Sequence, residues 1–228
     1  MILTPGKYDK YLVFNESFRN RESIQSRGGL VVACQNVGNG ISPAGASGRV
    51  TFAGTENVGI NASKMTWELR FRTPSVLVGT KALFCKTNAA NTNVQWGIYF
   101  SNTSLLITIA NALNDISQYA YGTAMSISTE YTAGIVFDGG LAANLRAKMY
   151  MQGASDTTTI SGAIPAVLTM GSVPISVLNK SDGSTLAPPT DTFLRSVSAW
   201  SGVAFSAQEC ADRYAQTTYS KLSVGGGA

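Results

Sequence analysis

Thirteen acidic side chains and no histidine bound the chemistry open to this 228-residue chain. Without an imidazole there is no Ser-His-Asp triad and no His-ligated metal. A glycosidase built on strands needs two or three carboxylates alternating along one strand, so that nucleophile and acid face one cleft. No Glu-x-Asp-x-x-Glu run occurs. Glu68 stands beside Arg70 and Arg72, which predicts an exposed cross-strand ion pair. Glu130 and Asp138 fall at opposite ends of one expected strand, too far apart to share a bond. The missing carboxylate geometry predicts a chain that is not an enzyme. Cys34, Cys85 and Cys210 are widely spaced, form no CxxC pattern and sit among apolar neighbours. Buried free thiols are expected, with one disulfide as the alternative, and neither a metal nor a cofactor.

A sugar site needs an aromatic platform with amide and carboxylate hydrogen bonds on exposed loops. Two stretches carry such groups: "TNAANTNVQW", with Asn88, Asn91 and Asn93 beside Trp96, and "NKSDGS", with Asn179, Asp182 and Ser184. Asn91, Asn93, Trp96, Asn179 and Asp182 form the candidate glycan set. Turn chemistry competes for the asparagines, and Trp67, Trp96 and Trp200 all fall in strand patterns where burial competes with stacking.

Charge narrows the partners. The net charge is +4, but the 17 Lys and Arg residues are scattered without a basic run, so no nucleic-acid site is expected. No apolar segment approaches the roughly 20 residues of a membrane span, so no membrane insertion is expected. "MILTPGKYDKYLVFNESFRN" lacks a basic region followed by an apolar core, which predicts cytoplasmic synthesis without a secretory signal. The sequons at Asn15, Asn61, Asn102 and Asn179 then read as accidental.

The elements that must carry these groups are strands. "KMTWELRFRTP" alternates most strictly, with Met65, Trp67, Leu69 and Phe71 on one face and Thr66, Glu68, Arg70 and Arg72 on the other, closed by Pro74. "GRVTFAGTENVGI" predicts a hairpin, with Val50 and Phe52 answering Val58 and Ile60 across a turn. "ALFCKT", "VQWGIYFS", "SLLITIA", "YTAGIVFDGG", "LRAKMYMQG" and "FLRSVSAW" follow, each bounded by turn residues. "ANALNDI" admits a helical reading, but a loop or hairpin is preferred, and "SDGSTLAPPTD" predicts a long surface loop. Many short strands at this spacing predict one all-β antiparallel sandwich. One short C-terminal helix follows, "SAQECADRYAQ", with Ser206 and Glu209 as its capping box and Cys210, Ala211 and Tyr214 turned towards the strands.

This ending resembles that of the laminin G-like, concanavalin A-like jelly rolls, with Val197, Trp200, Phe205, Ser206, Glu209 and Tyr214 in the motif positions. "MTWELRFRTPS", containing Trp67, is similar to an early family strand, and Ile135 or Val136, Asp138, Tyr150 and Gly153 match two later ones. The resemblance runs over about residues 45 to 220. It implies a jelly roll over residues 45–228, preceded by a segment 1–44 that packs onto the sandwich or serves assembly. Glycan binding is the non-catalytic role that the resemblance implies. Where relatives carry an acidic residue before the final Val this chain has Arg195 and Ser196, so calcium is not expected there.

Only 13% of residues are charged, against about 25% in an average soluble domain. Together with the absent catalytic set and secretory signal, this predicts a non-enzymatic virion surface protein: capsid decoration, tail or fibre. Its expected partners are other virion proteins, further copies of itself and a host-cell glycan. The alternative is an extracellular lectin or adhesion module without a virion role, followed by a glycoside hydrolase.

Overall fold

In the computed structural model the described residues are 9–18, 24–25, 29–37, 39–87, 94–110, 119–168, 173–183 and 186–222. They form two eight-stranded antiparallel sheets packed face to face. The first sheet runs in the order β13 (Ala154–Ser155), β12 (Ala147–Met151), β11 (Glu130–Asp138), β6 (Lys64–Arg72), β16 (Phe193–Ser201), β4 (Ile41–Pro43) and β3 (Cys34–Asn36). Beside β4, β1 (Leu12–Ser17) pairs with the other half of β16. The second sheet runs β14 (Thr159–Ser161), β10 (Tyr119–Ala124), β9 (Ser104–Ile109), β8 (Val94–Ser101), β7 (Thr80–Thr87), β15 (Ile175–Val177), β5 (Arg49–Phe52) and β2 (Gly29–Val32). The sandwich therefore begins before residue 45: residues 12–43 supply β1 to β4, divided between both sheets.

The alternation of β6 explains its central place. Met65, Trp67, Leu69 and Phe71 are wholly buried between the sheets, while β11 and β16 hold the strand on either side. Trp96, Ile98 and Phe100 of β8 face them from the second sheet. The Trp67 and Trp96 rings lie 5.2 Å apart, Phe84 and Trp96 4.9 Å, and Phe71 and Phe100 5.5 Å. Full burial of one such side chain is worth about 1.5–3 kcal/mol, so this aromatic seam is a large part of what joins the sheets.

The outer faces at the centre of the sandwich are covered too. On the first sheet the C-terminal helix (Ala207–Leu222) packs against β13 and reaches over β6, β11 and β12 through Cys210, Arg213 and Tyr214. Its box forms as expected: Ser206 N donates to Glu209 Oε2 at 2.8 Å and Glu209 N to Ser206 Oγ at 3.3 Å. Close approach requires glycine at position 153, where φ is +79° and a Cβ would lie 2.9 Å from that of Tyr214. Glu68 departs from expectation here. It accepts from Arg213 Nε of the helix at 2.6 Å, because helix and strand together cover it, and the Arg213 guanidinium stacks 4.3 Å from the Trp200 ring.

On the second sheet the chain after β15 runs across the outer face: Leu178 N donates to Leu83 O, Ser181 N to Thr87 O and Ala82 N to Leu186 O. Ala82, Cys85, Tyr99 and Leu106 are buried on that face, with Leu186 packed against them. The sequence 48–60 is not a hairpin. Only Arg49–Phe52 is extended, and residues 53–61 turn repeatedly, because the carbonyls a returning strand would pair are held by side chains from β7 and β8. The two strands flanking "ANALNDI", β9 and β10, pair antiparallel as a hairpin does, and residues 111–118 lie outside the described ones.

Candidate functional site

Of the five candidate glycan residues the structure describes Trp96, Asn179 and Asp182. Trp96 is 0% exposed, opposite Lys86 in register and packed on Trp67 and Phe84, so its ring is a core wedge and no platform. Trp67 and Trp200 are buried as well. Asn179 is also wholly buried: its Nδ2 donates to Ala46 O at 3.1 Å, and its Oδ1 accepts from Lys180 N at 2.9 Å. It builds a turn and presents no amide to a ligand. Asp182 is exposed. Asn91, Asn93 and Ser184 lie outside the described residues.

What the fold does fix is the turn that carries Asn179 and Asp182. Thr87, the last residue of β7, accepts through its carbonyl from both Ser181 N and Ser181 Oγ at 3.2 Å. The 178–183 turn is thereby pinned to the end of β7. On its other side the Asn179 bond to Ala46 draws in the turn before β5. Arg49 comes with it. Its guanidinium lies on Gly183, where φ is +79° and any Cβ would collide with Nη1, so glycine is required twice over. Arg49 Nη1 donates to Ser47 O at 3.3 Å.

The result is a surface rim of one carboxylate (Asp182), one guanidinium (Arg49), the Ser181 hydroxyl and the Ser47 carbonyl. These donors and acceptors suit a polyhydroxylated ligand. Arg49, Ser47 and Ser181 were missed in the sequence. The Asp-Gly pair at 182–183 marks the turn, but nothing local announces that Arg49 reaches it.

Beneath the rim the groups are inert. Burial pushes the Cys85 thiol up to about 11, partly offset by the Ser176 hydroxyl, whose oxygen is 3.3 Å from Sγ. Such a thiol is no nucleophile at neutral pH. Lys180 is 6% exposed, and burial lowers its pKa against the opposing influence of Cys85 and Asp182. Cys34, Cys85 and Cys210 are free thiols, and burial raises Cys210 to about 12.

The carboxylates weighed for catalysis are occupied elsewhere. Glu68 pairs with Arg213 at 2.6 Å, Glu130 with Arg195 at 2.7 Å and Asp138 with Lys64 at 3.5 Å. Among the described residues no three His, Cys, Asp or Glu side chains gather as a metal would need, and no helix is long and apolar enough to cross a membrane. A cavity of about 10 Å³ between β6 and the helix, bordered by Thr66, Glu68, Cys210 and Arg213, has room for a single water at most.

No protein-family model matches the chain, and no curated protein does. Solved structures do. The binding domain of botulinum neurotoxin serotype G superposes with a TM-score of 0.64 at 12% identity, over 90% of this chain and 51% of its own. Trypanosoma rangeli sialidase superposes with a TM-score of 0.58 at 8% identity, over 82% of this chain and 28% of its own. Its complex with sialic acid gives 0.58 at 10%, over 90% and 33%. This chain thus spans between a quarter and about half of these proteins, and at such identities what is shared is the β-sandwich fold.

Proposed function

We propose that this chain is a non-catalytic glycan-binding module on a lectin-like sandwich of the laminin G-like, concanavalin A-like kind. The observation that carries the reading is the 178–183 turn, held by Ser181 on the Thr87 carbonyl and set with the Arg49 guanidinium against Gly183, next to Asp182, as one polar rim. The absence of catalysis is supported by the engagement of Glu68, Glu130 and Asp138 in ion pairs. A neighbour known as a receptor-binding domain shares the architecture. The test is a glycan array followed by titration of the best ligand. Saturable binding by the native chain, weakened at least tenfold by Arg49→Ala or Asp182→Ala with unchanged thermal unfolding, is the expected result. No binding across neutral and charged glycans overturns the reading.

The finer proposal is that the module is displayed on a virion, in contact with other particle proteins or with its own copies. Its support is the low charge content and the hydroxyl- and amide-rich composition. Native mass by light scattering, alone and with particle proteins, tests it. A lone monomer that captures no shell or tail protein counts against it.

A further inference from the structure

The rim is set from below by a group that the sequence does not mark. Lys86, at the end of β7, shares its face with the Trp96 ring opposite, and no part of it is exposed. An ammonium so placed is costly unless hydrogen-bonded or paired. Among the described residues no carboxylate lies within ion-pair distance of it. Its Nζ instead donates to two backbone carbonyls of the 53–62 loop, Glu56 O and, at 2.9 Å, Val58 O. Gln95 of β8 reaches the same loop, Nε2 donating to Gly59 O at 3.0 Å. One internal cation and one amide thus do for this loop what a neighbouring strand does in a ladder.

The loop passes this anchorage on. Thr55 Oγ1 donates to Phe52 O and accepts from Ile175 N, both at 2.7 Å, fixing the entry of β15. β15 is only three residues long, and its exit is the 178–183 turn. The residue after Lys86 is Thr87, which holds Ser181 from the other side. Both routes from Lys86 therefore end on the rim.

We infer that Lys86 is the positioning residue of the rim: its ammonium fixes the 53–62 loop and, through Thr55 and β15 on one side and Thr87 on the other, sets the place of Ser181, Asp182 and Gly183. The ligand role of the rim rests on the function proposed above; the positioning stands on the contacts alone.

Amide hydrogen exchange tests it without any ligand. In the full chain, Lys86→Met keeps most of the aliphatic stem and removes the donors. Exchange of peptides covering 55–62 and 178–183 should rise at least tenfold, while peptides of β6 and β9 keep their protection. In Lys86→Ala, n-propylammonium replaces the missing part of the side chain and should restore protection in both segments; tetramethylammonium, which has no N–H, should not. Unchanged exchange at 178–183 in Lys86→Met, or equal rescue by the two cations, overturns the inference. Should Lys86→Ala not fold, the Lys86→Met comparison decides alone. Loosened segments in a chain that binds no glycan would refute the ligand reading and leave the positioning intact.

Discussion

Replacing Trp96 by alanine separates a core wedge from a sugar platform. The side chain is 0% exposed, and its ring meets Trp67 at 5.2 Å and Phe84 at 4.9 Å between centroids. Truncating a fully buried Trp or Phe costs about 3–5 kcal/mol through lost transfer energy and the cavity left behind. The indole Nε1 has no acceptor among the described residues, so removing it returns a small part of that cost. A destabilisation of about 4 kcal/mol remains, a large share of the roughly 5–15 kcal/mol that holds a typical domain folded. Urea unfolding followed by far-UV circular dichroism gives the value without relying on tryptophan emission, and the near-UV signal of the Trp67–Trp96 pair should vanish in the same variant. A loss below about 1 kcal/mol with an unchanged urea slope would show that the ring is not in the core. The placement of β8 would then be wrong, and the platform role would be open again.

Alkaline stability carries a sign that can be checked. Lys86 has a folded pKa of about 8 against an ordinary 10.5, so between those values the unfolded chain holds the extra proton and stability rises with pH. Cys85 and Cys210 work in the opposite direction: from pH 9.0 their unfolded thiols ionise while the folded ones stay protonated to about 11 and about 12. Each group contributes a slope of about 1.4 kcal/mol per pH unit; Lys180, lowered by burial, adds to the gain, and Tyr99 and Tyr150, raised by burial, add losses above pH 10, so the maximum falls between about pH 9 and 10. Urea midpoints measured from pH 7 to 10.5 should peak there, and a steady fall from pH 7.5 would contradict the burial of Lys86. On the opposite face, Arg213→Ala strips Glu68 of its partner and Trp200 of its stacked guanidinium. A loss of about 1–3 kcal/mol is expected, with faster proteolysis of the helix, and an unchanged digestion pattern would show that the pair does not hold the helix down.

The strands whose two faces differ were readable in the sequence. β6 alternates because one face meets the second sheet and the other carries polar groups, and the Ser206–Glu209 box is local by construction. β8 was readable as a strand but not as to which ring is free. The segment "QWGIYF" is buried on both faces, since the 178–192 crossing covers the outside, and period-2 reasoning has nothing to contrast. The 48–60 segment failed for a different reason: its second half has the apolar spacing of a strand, but its carbonyls belong to Lys86 and Gln95, 28 to 36 residues further on. The partner of Glu68 is 145 residues away, and no neighbouring pattern could point to it. The rim shows the same division. Asp182 and its glycine were visible as part of a surface loop, whereas Arg49 joins them only because Asn179 ties its own turn to Ala46.

The pairing of β1 with β16 has a consequence in time. Leu12 lies opposite Trp200 and Ser17 opposite Ser196, so β1 waits for a strand synthesised long after it, Asn15 and Ser198 being 183 residues apart. The central strands β6, β11 and β16 are likewise drawn from three widely separated stretches. Closure of the first sheet is thus deferred until β16 has been made, and over so long a loop it belongs to the slow, non-local class. During that interval Phe14 has no partner strand and β6, with Trp67 and Phe71, is paired on the β11 side alone, and a nascent chain stalled before residue 193 should be captured by chaperones where one carrying β16 and the helix is not.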